Sequence, residues 1–161
     1  MVELKVISMK KPDDANIIIG QAHFIKTVED MYETIAQSSP AIKFGVAFSE
    51  ASGACLVRSD GNDDELKALA EQNCLELACG HCFVVVVRQG YPINILNGVK
   101  MIAEVCTVYC ATANPLEVIV AQTALGRGIM GVIDGAGPKG LEKEEDVRWR
   151  KGLLRKLGYK R

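Results

Sequence analysis

The sequence predicts an α/β fold: a layered sandwich with a central mixed, mostly parallel sheet flanked by helices, opening with a β-hairpin. Three observations lead there. Short apolar runs alternate with amphipathic stretches of helical spacing from Ile17 onward, the pattern that lays helices over a parallel sheet. One run, Phe83-Val84-Val85-Val86-Val87, is uninterrupted and β-branched, which suits an interior strand covered on both faces. The 161 residues contain no repeat, linker or low-complexity stretch, so a single domain over 1–161 with a sizeable core is expected.

The elements follow in order. Residues 2–9 alternate and read as a strand, and Lys10-Lys11-Pro12-Asp13-Asp14 is a turn. Residues 16–24 are a second strand, so the two should form the opening hairpin. A helix over 27–37 has Val28, Met31, Tyr32 and Ile35 on one face. Thr27 is its expected N-cap, with Asp30 at the capping-box position. Residues 43–48 and 54–58 read as strands around the turn Glu50-Ala51-Ser52-Gly53. A helix over about 64–77 carries Leu66, Leu69, Ala70 and Asn73 on one face. Tyr91-Pro92 starts a helix to about Met101, and 103–111 is a strand. Asn114-Pro115-Leu116-Glu117 has the residues of a helix start, so a helix is expected to run to Leu125 and stop at Gly126. Residues 128–133 form a strand, and a charged helix over 142–157 closes the chain before Gly158.

Composition narrows the function. The net charge is −1, which gives no electrostatic case for a nucleic-acid or membrane partner. No apolar run nears the roughly 20 residues of a membrane span, and the N-terminus lacks a signal-peptide core, so a cytoplasmic location is expected. The six cysteines are expected to be free and mostly buried, without a disulfide framework.

The stretch from Gly20 to Asp30 leaves a strand and enters a helix. A helix start offers free N–H groups and partial positive charge. Lys26 adds a full charge, Thr27 a hydroxyl and His23 a titrating ring, so this corner reads as phosphate-handling. Arg127 and Gly128, within Gly126-Arg127-Gly128-Ile129-Met130-Gly131, suit a phosphate or ribose contact, or else a tight turn. That motif lacks the strand before and helix after that a dinucleotide site needs. Asp134 suits a base or a Mg2+ ligand, or a plain Asp-Gly turn. Asn94 and Asn97 either cap a helix or read a base or ribose, and Thr112-Ala113-Asn114 forms a second strand-to-helix corner. Cys79-Gly80-His81-Cys82 spells a dithiol redox motif. Such chemistry places the first Cys at a helix N-terminus, whereas here a helix precedes and a strand follows. Zinc at Cys79, Cys82, Cys106 and Cys110 is disfavoured because the last two share one strand face, so no metal site is expected.

Several of these segments carry a resemblance. They are Gln21-Ala22-His23-Phe24-Ile25-Lys26-Thr27-Val28-Glu29-Asp30, Gly80-His81 with Phe83, Pro92-Ile93-Asn94 with Leu96-Asn97, and Cys110-Ala111-Thr112-Ala113-Asn114-Pro115. Gly126-Arg127-Gly128 with Gly131-Val132-Ile133-Asp134-Gly135 completes them. Together they resemble the adenosine-specific kinase family of archaea and bacteria, over about 17–159. The two cysteines flanking Gly80-His81 are not part of that pattern. The resemblance implies binding of adenosine and AMP, and a histidine that carries a stable phosphoryl group. It leaves open which histidine. Phosphohistidine needs neutralising donors and shelter, and His23, beside Lys26 and the helix start, is the better placed.

The expected activity is therefore nucleoside phosphotransfer. His23, His81 and Asp134 would be catalytic, and Lys26, Thr27, Arg127 and Gly128 would hold phosphate. Asn94, Asn97, Thr112 and Asn114 would hold the nucleoside. No cofactor is fixed, and Mg2+ is the one candidate ion. The alternative is a non-catalytic AMP or adenosine sensor, with a Cys79/Cys82 dithiol oxidoreductase as a remote third. A homo-oligomer is expected, as for many compact enzymes of this size.

Overall fold

In the computed structural model, which describes residues 1–161, the chain folds into two sheets and four helices. The elements are β1 (Glu3–Ser8), β2 (Asn16–Ala22), α1 (Thr27–Ser38), β3 (Lys43–Ser49), β4 (Val57–Gly61) and α2 (Asp64–Leu77). They continue with β5 (Cys82–Arg88), α3 (Pro92–Met101), β6 (Val105–Thr112), β7 (Leu116–Gln122), β8 (Arg127–Asp134) and α4 (Glu144–Lys156). The larger sheet has the order β4-β3-β5-β2-β6 and the smaller the order β1-β7-β8.

Every pairing between these strands is antiparallel. This corrects the expected mostly parallel sheet, and the strand order gives the reason. β2 and β3, joined by α1, point the same way but lie on either side of β5. β4 and β5, joined by α2, flank β3, and β5 and β6, joined by α3, flank β2. Each helical crossover thus links two co-directional strands, as an alternating strand–helix sequence implies. Each also skips one position, and an antiparallel strand fills the gap.

Two further expectations fail. There is no opening hairpin: β1 pairs with β7, with Glu3 opposite Gln122 and Ser8 opposite Glu117. β2 instead lies inside the large sheet, between β5 and β6. The helix expected over 114–125 is strand β7. The Asn-Pro start there is outweighed by a two-residue period: Leu116, Val118 and Val120 are buried, whereas Glu117 is exposed.

The large sheet is covered on both sides. Ile17 and Ile19 of β2, Ala47 of β3 and Val84 and Val86 of β5 face a core shared with α2 and the small sheet. Ile18, Val46, Phe83, Val85 and Val87 face the other way, against α1 and α3. All three isoleucines are fully buried, each worth about 1.5–3 kcal/mol against exposure. Glycine sets how closely α2 approaches: a Cβ on Gly45 of β3 would come within 2.2 Å of the Lys67 backbone nitrogen.

Candidate active site

The strand order brings the ends of β2, β3 and β5 together at one rim. There the backbone N–H of Ala22 donates to the His81 carbonyl (2.9 Å), and that of His23 to the Glu104 carbonyl (2.9 Å). The N–H of His81 donates to the Ser49 carbonyl (2.8 Å). These bonds fix both histidines, the only two in the chain, on one cleft of about 260 Å³. Its walls are His23, Phe24, Ile25, Phe48, Glu50, Ala51, Ser52 and His81.

His81 is held in an unusual state. Its φ is +61°, a left-handed conformation that costs a non-glycine residue about 1–2 kcal/mol. Its ring stacks on Phe48, with centroids 5.7 Å apart and planes at 21°. Cys55 and Ala78, which line neighbouring clefts, also have positive φ (52° and 50°). The φ of Ala78 is that of the left-handed cap that ends α2, its N–H donating to the Cys74 carbonyl (2.9 Å).

Glu50, absent from the sequence expectations, closes the cleft. Its carboxylate accepts from the Leu56 N–H (2.8 Å) and from Arg58 Nη2 (2.9 Å). Those two bonds, the backbone one foremost, hold its pKa below the ordinary range, so it remains ionised. Phe24, Phe48 and Arg58 were missed as well. The available signal is position: Phe48 lies near the end of β3 and Glu50 just beyond it, at the rim where His81 immediately precedes β5. Pairing that rim required the antiparallel register.

The corner before α1 differs from expectation. Lys26, not Thr27, is the N-cap, and no side chain caps the helix. Thr27 is buried at the first helical position, and its hydroxyl donates to the Phe24 carbonyl (2.5 Å). The first two N–H groups of the helix, Thr27 and Val28, donate to the Phe24 (3.1 Å) and Ile25 (3.4 Å) carbonyls, whereas those of Phe24, Ile25 and Lys26, in the turn ahead of it, donate to no backbone carbonyl and stay free. Lys26 Nζ is engaged by Asp30 (2.7 Å) and by Glu104 (2.8 Å). Glu104 is 2% exposed, and its Oε2 is buried without a partner.

This triad gives a pH dependence. The hydrogen bond from Lys26 is the main cause that holds the Asp30 carboxyl below its ordinary value of 3.8. A carboxyl with a lowered folded pKa adds stability above its unfolded value and loses it as pH falls through the folded one. Stability is therefore expected to fall on acidification below about pH 4. Lys26→Met is expected to flatten that fall in urea unfolding compared at about pH 5 and about pH 3. An unchanged slope would remove Lys26 as its cause.

Arg127 and Gly128 lie at the same rim, on an adjoining cleft of about 610 Å³ that shares Glu50 and Ala51 with the histidine cleft. Arg127 is a structural tie: Nε donates to Gln122 Oε1 (3.0 Å) and Nη1 to the Glu76 carbonyl (3.2 Å) at the end of α2. Cations suit the last carbonyls of a helix.

The remaining expected residues sit elsewhere. Thr112 and Asn114 both donate to Asp134 Oδ1, at 2.6 and 3.0 Å. Thr112 is opposite Ile17, whereas Ala22 marks the histidine rim. Five residues of strand separate the two, about 17 Å. No helix starts at Asn114, so the expected second anion corner is absent. Asn94 accepts from the Tyr91 N–H (2.9 Å), a helix cap, and Asn97 is exposed on α3.

No cluster of three or more His, Cys, Asp and Glu side chains is arranged to hold a metal ion. Cys79 and Cys82 are buried, and burial raises both thiol pKa values above 9.0. That is the reverse of an activated redox pair. No helix is long and apolar enough to cross a membrane.

Comparisons with known proteins agree with the resemblance. Residues 7–160 match the family described as Adenosine specific kinase. The chain is also similar to the crystal structure of the PH1918 protein from Pyrococcus horikoshii OT3. That likeness has a TM-score of 0.96 and 42% identity, over 100% of this chain and 99% of that one. No curated protein sequence matches it significantly.

Proposed function

For a chain that belongs to the adenosine-specific kinase family, we propose that the histidine cleft takes the nucleoside and that His23 carries the phosphoryl group. The carrying observation is that both imidazoles of the chain line one cleft. The ligand is adenosine or AMP, its base set against Phe24, Ile25 and the ring of His81. Aromatic and apolar walls with a few polar groups are what such a ligand needs.

His23 is exposed, four residues before the helix. A phosphoryl group on its ring would meet the free N–H groups of residues 24–26. In the transfer, the His23 nitrogen forms the P–N bond as the donor's bond to phosphorus breaks. The nucleoside 5′-oxygen then attacks phosphorus, the P–N bond breaks, and the hydroxyl proton leaves to an acceptor. Glu50, the one carboxylate among the residues that line the cleft, is the acceptor it offers.

Calorimetry tests the binding. Adenosine and AMP are expected to bind, and Phe24→Ala or His81→Ala to weaken both at least about tenfold, the 1.4 kcal/mol of one lost stacking contact. Affinities unchanged by both substitutions would move the ligand out of this cleft.

A second reading has its own support. Lys26 already faces two carboxylates, so its charge is neutralised before any phosphate arrives. That favours a sensor that binds AMP or adenosine without transfer. Binding with no phosphorylated product, across phosphoryl donors, would select it.

A further inference from the structure

α4 buries none of its residues in its own chain. Trp149, Leu153 and Leu157 recur every four residues, which forms one apolar stripe. Trp149 is 69% and Leu157 58% exposed. No residue of the helix is buried, and none belongs to either core. A 13-residue helix is marginal in water without a surface to lie on.

The small sheet presents such a surface. Its inner face packs Val118 and Val120 into the core. Its outer face is set by register, in rows across β1, β7 and β8: Leu4, Ala121 and Gly128, then Val6, Ile119 and Gly131, then Ser8, Glu117 and Ile133. Leu4 is 67% and Val6 58% exposed. A Cβ placed on Gly128 or Gly131 would meet nothing within 4 Å. The two glycines therefore leave a shallow trough beside an apolar ridge, where a helix can approach closely.

We infer that α4 is an exchange arm, whose apolar stripe seats on the outer face of the small sheet in a second copy of this chain. Charge supports that occupant. Residues 142–161 hold eight Lys and Arg against four Asp and Glu, a net of +4. The other 141 residues hold eleven against sixteen, a net of −5. Arm and body therefore attract, and Glu117 on the outer face meets the basic side of the helix. Both surfaces are open within one chain, so reciprocal seating covers four apolar faces in a closed pair. Self-complementary closure of this kind is the usual route to a symmetric oligomer. Two helix-on-sheet contacts per pair suit the roughly 1,600 Å² of a standard interface.

The test is the mass of the full chain in solution, by sedimentation or light scattering. The wild type is expected at two copies. Trp149→Glu and Val6→Glu, both at exposed positions, are each expected to give a folded monomer by circular dichroism. Mixed, the two variants are expected to pair again, because one keeps the arm and the other keeps the sheet face. A monomeric wild type, or an assembly of unchanged mass in either variant, overturns the inference.

Discussion

Gly45→Ala is expected to destabilise the protein by about 3 kcal/mol, lowering its melting temperature by roughly 6–12 °C. Gly45 lies on β3 under α2, and the added methyl would sit 2.2 Å from the Lys67 nitrogen and 2.3 Å from the Leu66 carbonyl carbon. Both atoms belong to backbone, which cannot rotate away as a side chain end can. The helix must lift, and the contacts of Leu66, Ala70, Cys74 and Leu77 loosen with it. Gly137→Ala is the matched control, since its methyl enters open space, and little change is expected there. Calorimetric melting checks both. Equal melting temperatures for the two variants would mean that α2 is not seated on Gly45.

His23→Ala is expected to abolish acid-labile phosphorylation of the protein, a loss of at least about a hundredfold for a removed nucleophile. His81→Ala should retain the label while it weakens nucleoside binding. The separation follows from their surroundings. His23 is exposed beside the free N–H groups of the turn that leads into α1, whereas His81 is stacked on Phe48 and strained at φ +61°. Label surviving in His23→Ala, and lost only in His81→Ala, would exchange the two roles.

The placing of the two histidines at element ends is legible in sequence, because it depends on local signals. His23 before a helix start and His81 between α2 and an apolar strand are both readable from neighbours. What could not be read is pairing. The run from Phe83 to Val87 indicates burial on both faces, and β5 is indeed central. It says nothing about strand direction. Helical connections argue for parallel neighbours, and here each crossover spans an intervening strand, so the direction inverts. The same blindness explains Glu50 and Phe48. They belong to the cleft only because β3 lies antiparallel to β5 with Phe48 opposite Phe83.

Side-chain partnership was the second limit. In sequence Lys26 is a cation suited to phosphate, and nothing local reveals that Glu104, far along the chain, is buried against it. Arg127 was likewise open to two uses, and its donors go to Gln122 and the end of α2. At Asn114-Pro115, local helix-start chemistry and strand alternation pointed in opposite directions. Burial of Leu116, Val118 and Val120 against the core decided for the strand.

Proton NMR of the two imidazoles tests the shared cleft most directly, since His23 and His81 are the only histidines in the chain. Their ring signals can be assigned by single substitution and followed while adenosine is added. Both are expected to move and to saturate together, at the affinity that calorimetry gives. Adenosine binding by calorimetry with both ring signals stationary would contradict the account.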